Sequence, residues 1–484
     1  MPTDIPSEIF KSYDVRGRYG TEITEPVAEL IGRAFVQTLE ARKVAVGRDM
    51  RQHSPLLEDA LVNGITAAGA DVIRIGQCST PMSYFAAATL GVDGAVMVTA
   101  SHNPGNDNGF KFSKRGGEPM GMGAGLEKIQ DLVVSGKASE IQGPMGSVSS
   151  QDILGSWCKH LKQYLPEVRP MTVVLDFGSG VMGPVIKALL REIDPSGEKI
   201  QAISICDEPD GSFPWHPADP LKPVNREHLE GAMMAVTAMS GRKPDLGIAF
   251  DGDGDRLVFL DENAQFIGCD LMTALFAREL LSKPENRGKN VMYDLRCSAV
   301  VPEVIKEASG IPEMCRVGHS HIKAAMRGKR QGVVADPTVK GDIIFAGEVS
   351  GHFFFTDCFY LDTSERAFLL ALQLLTDDPK PISQQVKPLQ KYWQSGELNY
   401  RLPTDDRKQQ VLAAIEETFR DQHIFKLDGV TVKADSWHFN VRLSNTEPVV
   451  RLAAESMMNL EDLQQLLKKI EAIITGLGGT RQAR

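Results

Sequence analysis

Cysteine is scarce in this chain of 484 residues, with seven in all, at positions 78, 158, 206, 269, 297, 315 and 358. The number is odd and no two stand in a CxxC spacing, which argues against a disulfide framework and a zinc site. Free thiols in a reducing compartment follow, with the cytoplasm as the expected location. Basic residues are also in deficit. The 53 Lys and Arg against 63 Asp and Glu leave a net charge of −10, so a nucleic-acid partner, which needs a basic face, is not expected. A small, locally positive cleft remains compatible with that charge. No apolar run is long enough to span a bilayer, so no membrane partner is expected either. The first ten residues carry Asp4 and Glu8 around no apolar core and do not read as a signal peptide. Short repeats and low-complexity tracts are absent.

What is present is ordinary globular composition, 42% hydrophobic and 24% charged, in a chain too long for one core. The hydrophobic pattern alternates between helix and strand periods. Val27, Leu30, Ile31, Ala34, Phe35 and Leu39 form a helical face, 43–47 reads as a strand, 56–68 as a helix, 71–75 and 94–98 as strands. A Gly- and Ser-rich stretch, 137–150, reads as a linker. A second α/β unit follows, with strands at 172–176, 246–250 and 257–260 and a helix at 183–191. A third has strands near 290–295 and 343–346. Residues 377–382, with two prolines and two acids, read as the link to a different last part: a helix at 405–419, strand-like runs from 430 to 452 and an amphipathic helix at 460–474. The pattern predicts α/β architecture in domains 1–150, 151–262 and 263–378, and an α+β domain at 379–484.

Two runs carry the chemistry. Thr99-Ala100-Ser101-His102-Asn103-Pro104 places a hydroxyl on a polar turn after an apolar strand, read here as exposed. Asp251-Gly252-Asp253-Gly254-Asp255-Arg256 places three carboxylates at alternate positions of a glycine-hinged loop, a pattern suited to a hard divalent cation. Alone, Ser101 reads as a turn or cap serine, and it lacks the GxSxG elbow of a hydrolase. The acidic run is not a calcium loop, because its sixth position is Arg256 rather than glycine and strands flank it. Three like charges so close are costly unless a cation neutralises them. A serine nucleophile, a hard cation and several arginines together point to phosphoryl transfer.

Further runs are weaker singly. Gly347-Glu348-Val349-Ser350-Gly351-His352 offers acceptors and donors for sugar hydroxyls. Arg442-Leu443-Ser444-Asn445-Thr446-Glu447-Pro448, with Arg451 beyond, can form an anion cradle. Tyr13 to Gly17, Gly109-Phe110-Lys111 and Val317-Gly318-His319-Ser320 are unremarkable by themselves, and Arg48 and Arg51 read as structural ion-pair formers.

Together, in this order, these runs resemble the α-D-phosphohexomutase family, most of all its bacterial phosphomannomutase/phosphoglucomutase branch. The resemblance implies three similar α/β domains and an α+β C-terminal domain around a central cleft. It implies that Ser101 carries the transferable phosphoryl group and that Asp251, Asp253 and Asp255, with the Ser101 phosphate, hold Mg²⁺. It gives Glu348, Val349 and Ser350 to the sugar, with Arg296 and Tyr13 also on the substrate, and gives the distal phosphate to Arg442, Ser444, Asn445 and Thr446. Arg16, His102, Lys111, Arg256, His319 and His352 line the reacting end. The implied reaction moves a phosphoryl group between C1 and C6 of mannose or glucose through a hexose 1,6-bisphosphate, which also serves as activator. The partner is then a phosphorylated hexose, and the oligomeric state is left open, a monomer included.

Two departures stand out. Asp294-Leu295-Arg296-Cys297-Ser298 carries Arg where this branch carries Lys, which removes proton chemistry at that position. The 328–342 segment is longer than its counterpart. A phosphoglucosamine mutase is disfavoured because GEVSGH and SNTEP are closer to the mannose/glucose branch. A Mg²⁺-dependent sugar phosphatase is disfavoured by the Ser101 nucleophile and the anion clamp, and a non-catalytic sensor by Ser101 together with the complete carboxylate triad.

Overall fold

The structure is a computed structural model that describes residues 5–165, 167–329, 333–334, 341–444 and 447–482. The chain divides into two compact units, Met1–Cys269 with Ser350–Gln384, and Asp270–Val349 with Gln385–Arg484.

In the first unit, three parallel strands, Lys43–Arg48, Asp71–Gln77 and Gly94–Val98, lie in the order third, first, second. The antiparallel strand Asp107–Lys114 returns beside Gly94–Val98, and Val15–Arg18 pairs on its far side. Every residue of Gly94–Val98 is buried, as a central strand covered on both faces requires. The helix Glu25–Leu39 starts after extended Thr24 with Pro26 in its first turn, where a missing N–H costs nothing, and stops at left-handed Glu40. It turns Ile31, Ala34 and Phe35, all fully buried, into the core. Gly32 and Gly64 let it press against the helix Ser54–Ala67, since a Cβ at either would strike the other helix's backbone.

The same plan recurs twice. Met171–Asp176, Ile200–Ile205 and Leu246–Phe250 are parallel, again third, first, second, with Leu257–Leu260 returning antiparallel beside the third. The helix Ser364–Asp377, buried on nearly all sides, also belongs to the first unit. In the second unit Asn290–Asp294 is flanked by parallel Ile311–Cys315 and Ile343–Gly347, the third occurrence of that order. The last part of the chain is different in kind. Trp393–Arg401, His423–Phe425, Val430–Lys433, Trp437–Leu443, Val449–Ser456 and Thr480–Arg481 form one antiparallel sheet, and Asp406–Thr418 and Leu460–Gly476 pack in its core.

The order third, first, second makes the strand sequence reverse between the first and third strands, and ligands of open α/β sheets bind outside the carboxyl ends there. The three motif-bearing loops leave the third strand each time: 99–103 after Val98, 251–256 after Phe250 and 348–349 after Gly347.

One expectation fails. The 137–150 stretch is not only a linker, because Val148–Ser150 adds a parallel edge strand beside Asp71–Gln77. Its three residues are exposed and held through the backbone, so composition carries no sign of it. Among the described residues no helix is long and apolar enough to cross a membrane.

Candidate active site

In the first unit Ser101 is fully buried, which corrects the expectation of an exposed hydroxyl. Its Oγ lies 3.1 Å from Asp251 Oδ2 and 3.2 Å from His102 Nδ1. The serine loop is fastened from beneath by Arg51, whose guanidinium donates to the carbonyls of Ser101, Asn103, Pro104 and Asp107 while paired with Asp49. The structural reading of Arg51 is therefore correct. Gly252 lets the acidic loop approach, since a Cβ there would stand 2.7 Å from the Ser101 carbonyl oxygen. Gly254 takes the left-handed φ of +74° that turns the loop.

Asp251, Asp253 and Asp255 are all buried, and their carboxylate oxygens converge closely enough to share one ion. Lys111 Nζ bridges Asp253 Oδ2 at 2.6 Å and Asp255 Oδ2 at 2.5 Å, and Thr80 Oγ1 donates to Asp253 Oδ2 at 2.6 Å. The second oxygens are both buried: Asp253 Oδ1 accepts no hydrogen bond, and Asp255 Oδ1 stands 3.5 Å from His352 Nε2 and 3.8 Å from Arg256 Nε. Burial, then the neighbouring Asp255 and Asp253, drives the Asp251 carboxyl well above its ordinary range. Burial acts the same way on Asp255, but Lys111 and Arg256 outweigh it and hold that carboxyl well below. A buried carboxylate oxygen without a donor, Asp253 Oδ1, inside an all-oxygen set, fits a hard divalent cation.

Around this centre stand the other residues from the first unit. Arg16 is forked to Asp14 and donates to Asn103 Oδ1 at 3.0 Å. His102 is held neutral, its pKa driven well below the ordinary range by burial and then by Arg256 and Arg16. Arg256 Nε donates to His352 Nε2 at 3.0 Å, which makes that ring nitrogen the acceptor. His352 Nδ1 then faces Ser350 Oγ at 2.9 Å. Tyr13, half-buried, precedes the strand that carries Arg16.

The second unit gathers the remaining set. Glu348 is buried and accepts from the Gly318 N–H at 2.9 Å, while the Val349 N–H donates to Asp294 Oδ2 at 2.9 Å. Arg296 forks Asp294 at 3.0 and 2.7 Å. Burial opposes that charge, but Asp294, Glu348 and Glu397 raise the guanidinium's pKa further, so Arg296 is a fixed cation. Glu397, on Trp393–Arg401, meets Arg442 at 2.6 Å, Arg451 at 3.4 Å and Arg296 at 3.6 Å. Arg442 and Arg451 stand directly opposite each other in the sheet, a like-charge pair that costs stability unless an anion sits nearby. Three guanidiniums are thus gathered on Glu397 and Asp294, with Glu348 also acting on Arg296. Lys408 Nζ donates to the carbonyls of Ser444 and Glu447 and pairs with Asp405 at 2.9 Å. His319 opens the helix His319–Met326 directly after Gly318. Asn445, Thr446 and most of the 328–342 segment lie outside the described residues.

Sequence reading missed Thr80, Asp294, Glu397 and Lys408. Asp294 stood within a noted run; the other three carry no local signal, since each acts through a partner many residues away.

The comparisons with known proteins agree with this arrangement. The Phosphoglucomutase/phosphomannomutase models match in order: alpha/beta/alpha domain I over residues 7–139, domain II over 156–265, domain III over 269–392 and the C-terminal domain over 397–473. The chain is 34% identical over 467 residues to a phosphomannomutase of Salmonella montevideo, covering 95% of this chain and 97% of that protein. It is 33% identical over 475 residues to a phosphomannomutase of Methanocaldococcus jannaschii, covering 96% and 98%. A crystal structure of a phosphoglucomutase/phosphomannomutase family protein from Burkholderia thailandensis is similar at a TM-score of 0.84 and 29% identity, over 98% of both chains. Fold and site thus define a phosphohexomutase. The chain belongs to the phosphoglucomutase/phosphomannomutase family, with three similar α/β domains followed by a C-terminal α+β domain.

Proposed function

We propose that this enzyme reversibly moves a phosphoryl group between C1 and C6 of a hexose phosphate, mannose or glucose, through a phosphoserine at Ser101. The observation that carries the reading is the placement of Ser101 Oγ 3.1 Å from Asp251, in a buried carboxylate triad where Asp253 keeps an oxygen that accepts no hydrogen bond. A sugar hydroxyl oxygen forms the new bond to phosphorus, the bond from phosphorus to Ser101 Oγ breaks, and the hydroxyl proton passes to a neighbouring base. The resulting 1,6-bisphosphate returns its other phosphoryl group to Ser101, and added bisphosphate acts as activator.

Asp251, Asp253 and Asp255, with Ser101, fit Mg²⁺, which when bound offsets charge on the phosphoryl oxygens. Arg16, Arg256 and Lys111, the last raised in pKa, against burial, by Asp253 and Asp255, serve as fixed cations at the reacting end, and His102 is the acid–base group nearest the serine. On the same reading His319 and His352 act on the reacting phosphoryl group. Glu348, Val349 and Ser350 read the sugar, with Tyr13 and Arg296 beside it, and Arg442, Ser444, Asn445 and Thr446 take the distal phosphate. A cytoplasmic location fits the seven free thiols.

Mannose and glucose differ only at C2. A loop that grips other hydroxyls discriminates weakly between them, because strong rejection requires leaving a buried polar group unpaired. A coupled assay on mannose 1-phosphate and glucose 1-phosphate, with trace bisphosphate, should give 6-phosphate from both. Glucosamine phosphate should be poor. Free phosphate released in step with substrate loss would instead mark a phosphatase.

A further inference from the structure

Away from the carboxylate loop, the second α/β domain brings together Cys206, His216 and His228, whose ligand atoms all lie within 4.8 Å of one another. We propose that these three side chains form a binding site for a thiolate- and imidazole-preferring divalent cation, Zn²⁺ above all, separate from the oxygen-only site.

The fold builds the site at one sheet edge. Asp176 and Ile205 are register partners at the ends of adjacent parallel strands, and Cys206 follows Ile205 directly. The Cys206 carbonyl is pinned by the Ser179 N–H at 2.8 Å, which fixes that corner. His216 comes from the loop that follows, and His228 from the first turn of the helix Glu227–Ser240. The two imidazoles meet edge to face, centroids 5.2 Å apart and planes at 71°, so they do not stack on each other. His216 is held on both nitrogens, Nδ1 3.0 Å from the Pro217 carbonyl and Nε2 3.1 Å from Asp176; burial opposes its charge, but Asp176 and Cys206 raise its pKa to about 10, so an entering ion displaces one of its two protons. Whichever nitrogen binds the ion, the other keeps the outer hydrogen bond that a metal-bound imidazole ordinarily has.

The donor chemistry decides which ion. One thiolate and two imidazoles favour Zn²⁺ and its late first-row neighbours over Mg²⁺, which prefers oxygens. A thiolate beside the Asp176 carboxylate balances the charge of a divalent ion. Six of the seven cysteines are buried, and Cys206 alone is partly exposed. His228 is exposed, so the site is open to an entering ion and leaves a fourth position for water. In a tetrahedral site ligand atoms stand about 3.3–3.7 Å apart, given metal–ligand distances of about 2.0–2.3 Å. The three ligand atoms already lie within 4.8 Å of one another, and His228 is the exposed member of the set. The spacing Cys-x9-His-x11-His matches no short finger pattern, which is why the sequence argued against zinc.

The test uses the full chain, stripped with a chelator, dialysed against Zn²⁺ and desalted. Elemental analysis should find one zinc per chain, retained in excess Mg²⁺. Co²⁺ in place of zinc should give a thiolate-to-cobalt charge-transfer band. Cys206→Ser should abolish that band, and His228→Ala should weaken zinc binding at least about tenfold, both with an unchanged circular dichroism spectrum. Asp253→Asn, in the separate carboxylate set, should leave the cobalt band intact. Wild type that retains no stoichiometric zinc overturns the proposal, and so does a cobalt band that survives in Cys206→Ser or vanishes in Asp253→Asn.

Discussion

Ser101 holds a left-handed backbone, φ 53°, a conformation that costs a non-glycine residue about 1–2 kcal/mol and persists only where surroundings enforce it. Arg51 and the Thr99 hydroxyl, which accepts from the Ser101 N–H at 2.9 Å, are those surroundings. The strain is thus borne by the loop's fasteners rather than by the hydroxyl. Ser101→Ala should leave the fold intact, with a loss of about 1 kcal/mol for the bond to Asp251, yet lower turnover about 10³-fold or more. Intact mass should show one removable phosphate on wild type and none on the variant; a folded variant with near-normal turnover excludes the phosphoserine. Asp253→Asn should make activity far less responsive to Mg²⁺, and a chelator should silence wild type reversibly. Full wild-type activity in excess chelator would reduce the triad to a charged turn. Glu455 behaves differently. Burial pushes its carboxyl up to about 7, despite hydrogen bonds from Ser298 and the Ala299 N–H. His438, 3.6 Å away, is lowered to about 4 by its own burial and offers no charge at neutral pH. Because the folded pKa is raised, the native state holds a proton that the unfolded chain has released, so stability falls as pH rises toward 7 and is level above it. The span is about 3 kcal/mol. Glu455→Gln should therefore exceed wild type in urea resistance at about pH 8 and lose that advantage at about pH 5. An equal difference at both values rules out Glu455 as the source.

At the scale of elements, the strands Trp393–Arg401, Trp437–Leu443 and Val449–Ser456 bring Arg442 and Arg451 onto one shared counterion, Glu397, in the proposed anion cradle. Its carboxyl is held below the ordinary range because Arg442 and Arg296 outweigh burial. Glu397→Gln removes that counterion from three guanidiniums and should lower stability by about 1–2 kcal/mol, a value discounted for partial exposure. Inorganic phosphate should raise the variant's melting temperature more than that of wild type, since the anion replaces the missing carboxylate. Equal rises would mean that no anion sits there. This element also shows where sequence reading stops. Arg442 and Ser444 could be named because they share a short loop, whereas Glu397 reaches them across a sheet register that local pattern does not encode. The strands 94–98 and 246–250 were legible because a buried central strand is a continuous apolar run. Val148–Ser150 was not, because an exposed edge strand is specified by backbone pairing alone. Ser101 was legible as a chemical group but not as a buried one. Its burial comes from Arg51 and from Gly252 of the acidic loop, partners about 50 and 150 positions away in the chain.

Across the whole molecule the same three-strand order occurs three times, and in the proposed function the third-strand loop takes a different role in each: Ser101 lies on one, the three carboxylates on another and Glu348 on the third. Duplication of one architecture supplies several ligand-facing loops without any shared sequence, since the strand order that creates the ligand-facing end depends on topology and not on side chains. The division of roles follows the two compact units. The serine and carboxylates belong to one, and Glu348, Arg296 and the arginine cradle to the other. If one sugar bisphosphate is served by both sets, its binding must be felt in both. Hydrogen exchange should then separate two ligands. Mg²⁺ alone should slow amides of 99–103 and 251–256 and leave 397–401 and 440–452 unchanged. Glucose 1,6-bisphosphate with Mg²⁺ should slow all four segments, by up to about 2.7 kcal/mol in local opening at a hundredfold excess over Kd. Protection confined to the first unit at saturating bisphosphate would detach the arginine cradle from the transferred sugar and leave it as a separate anion site.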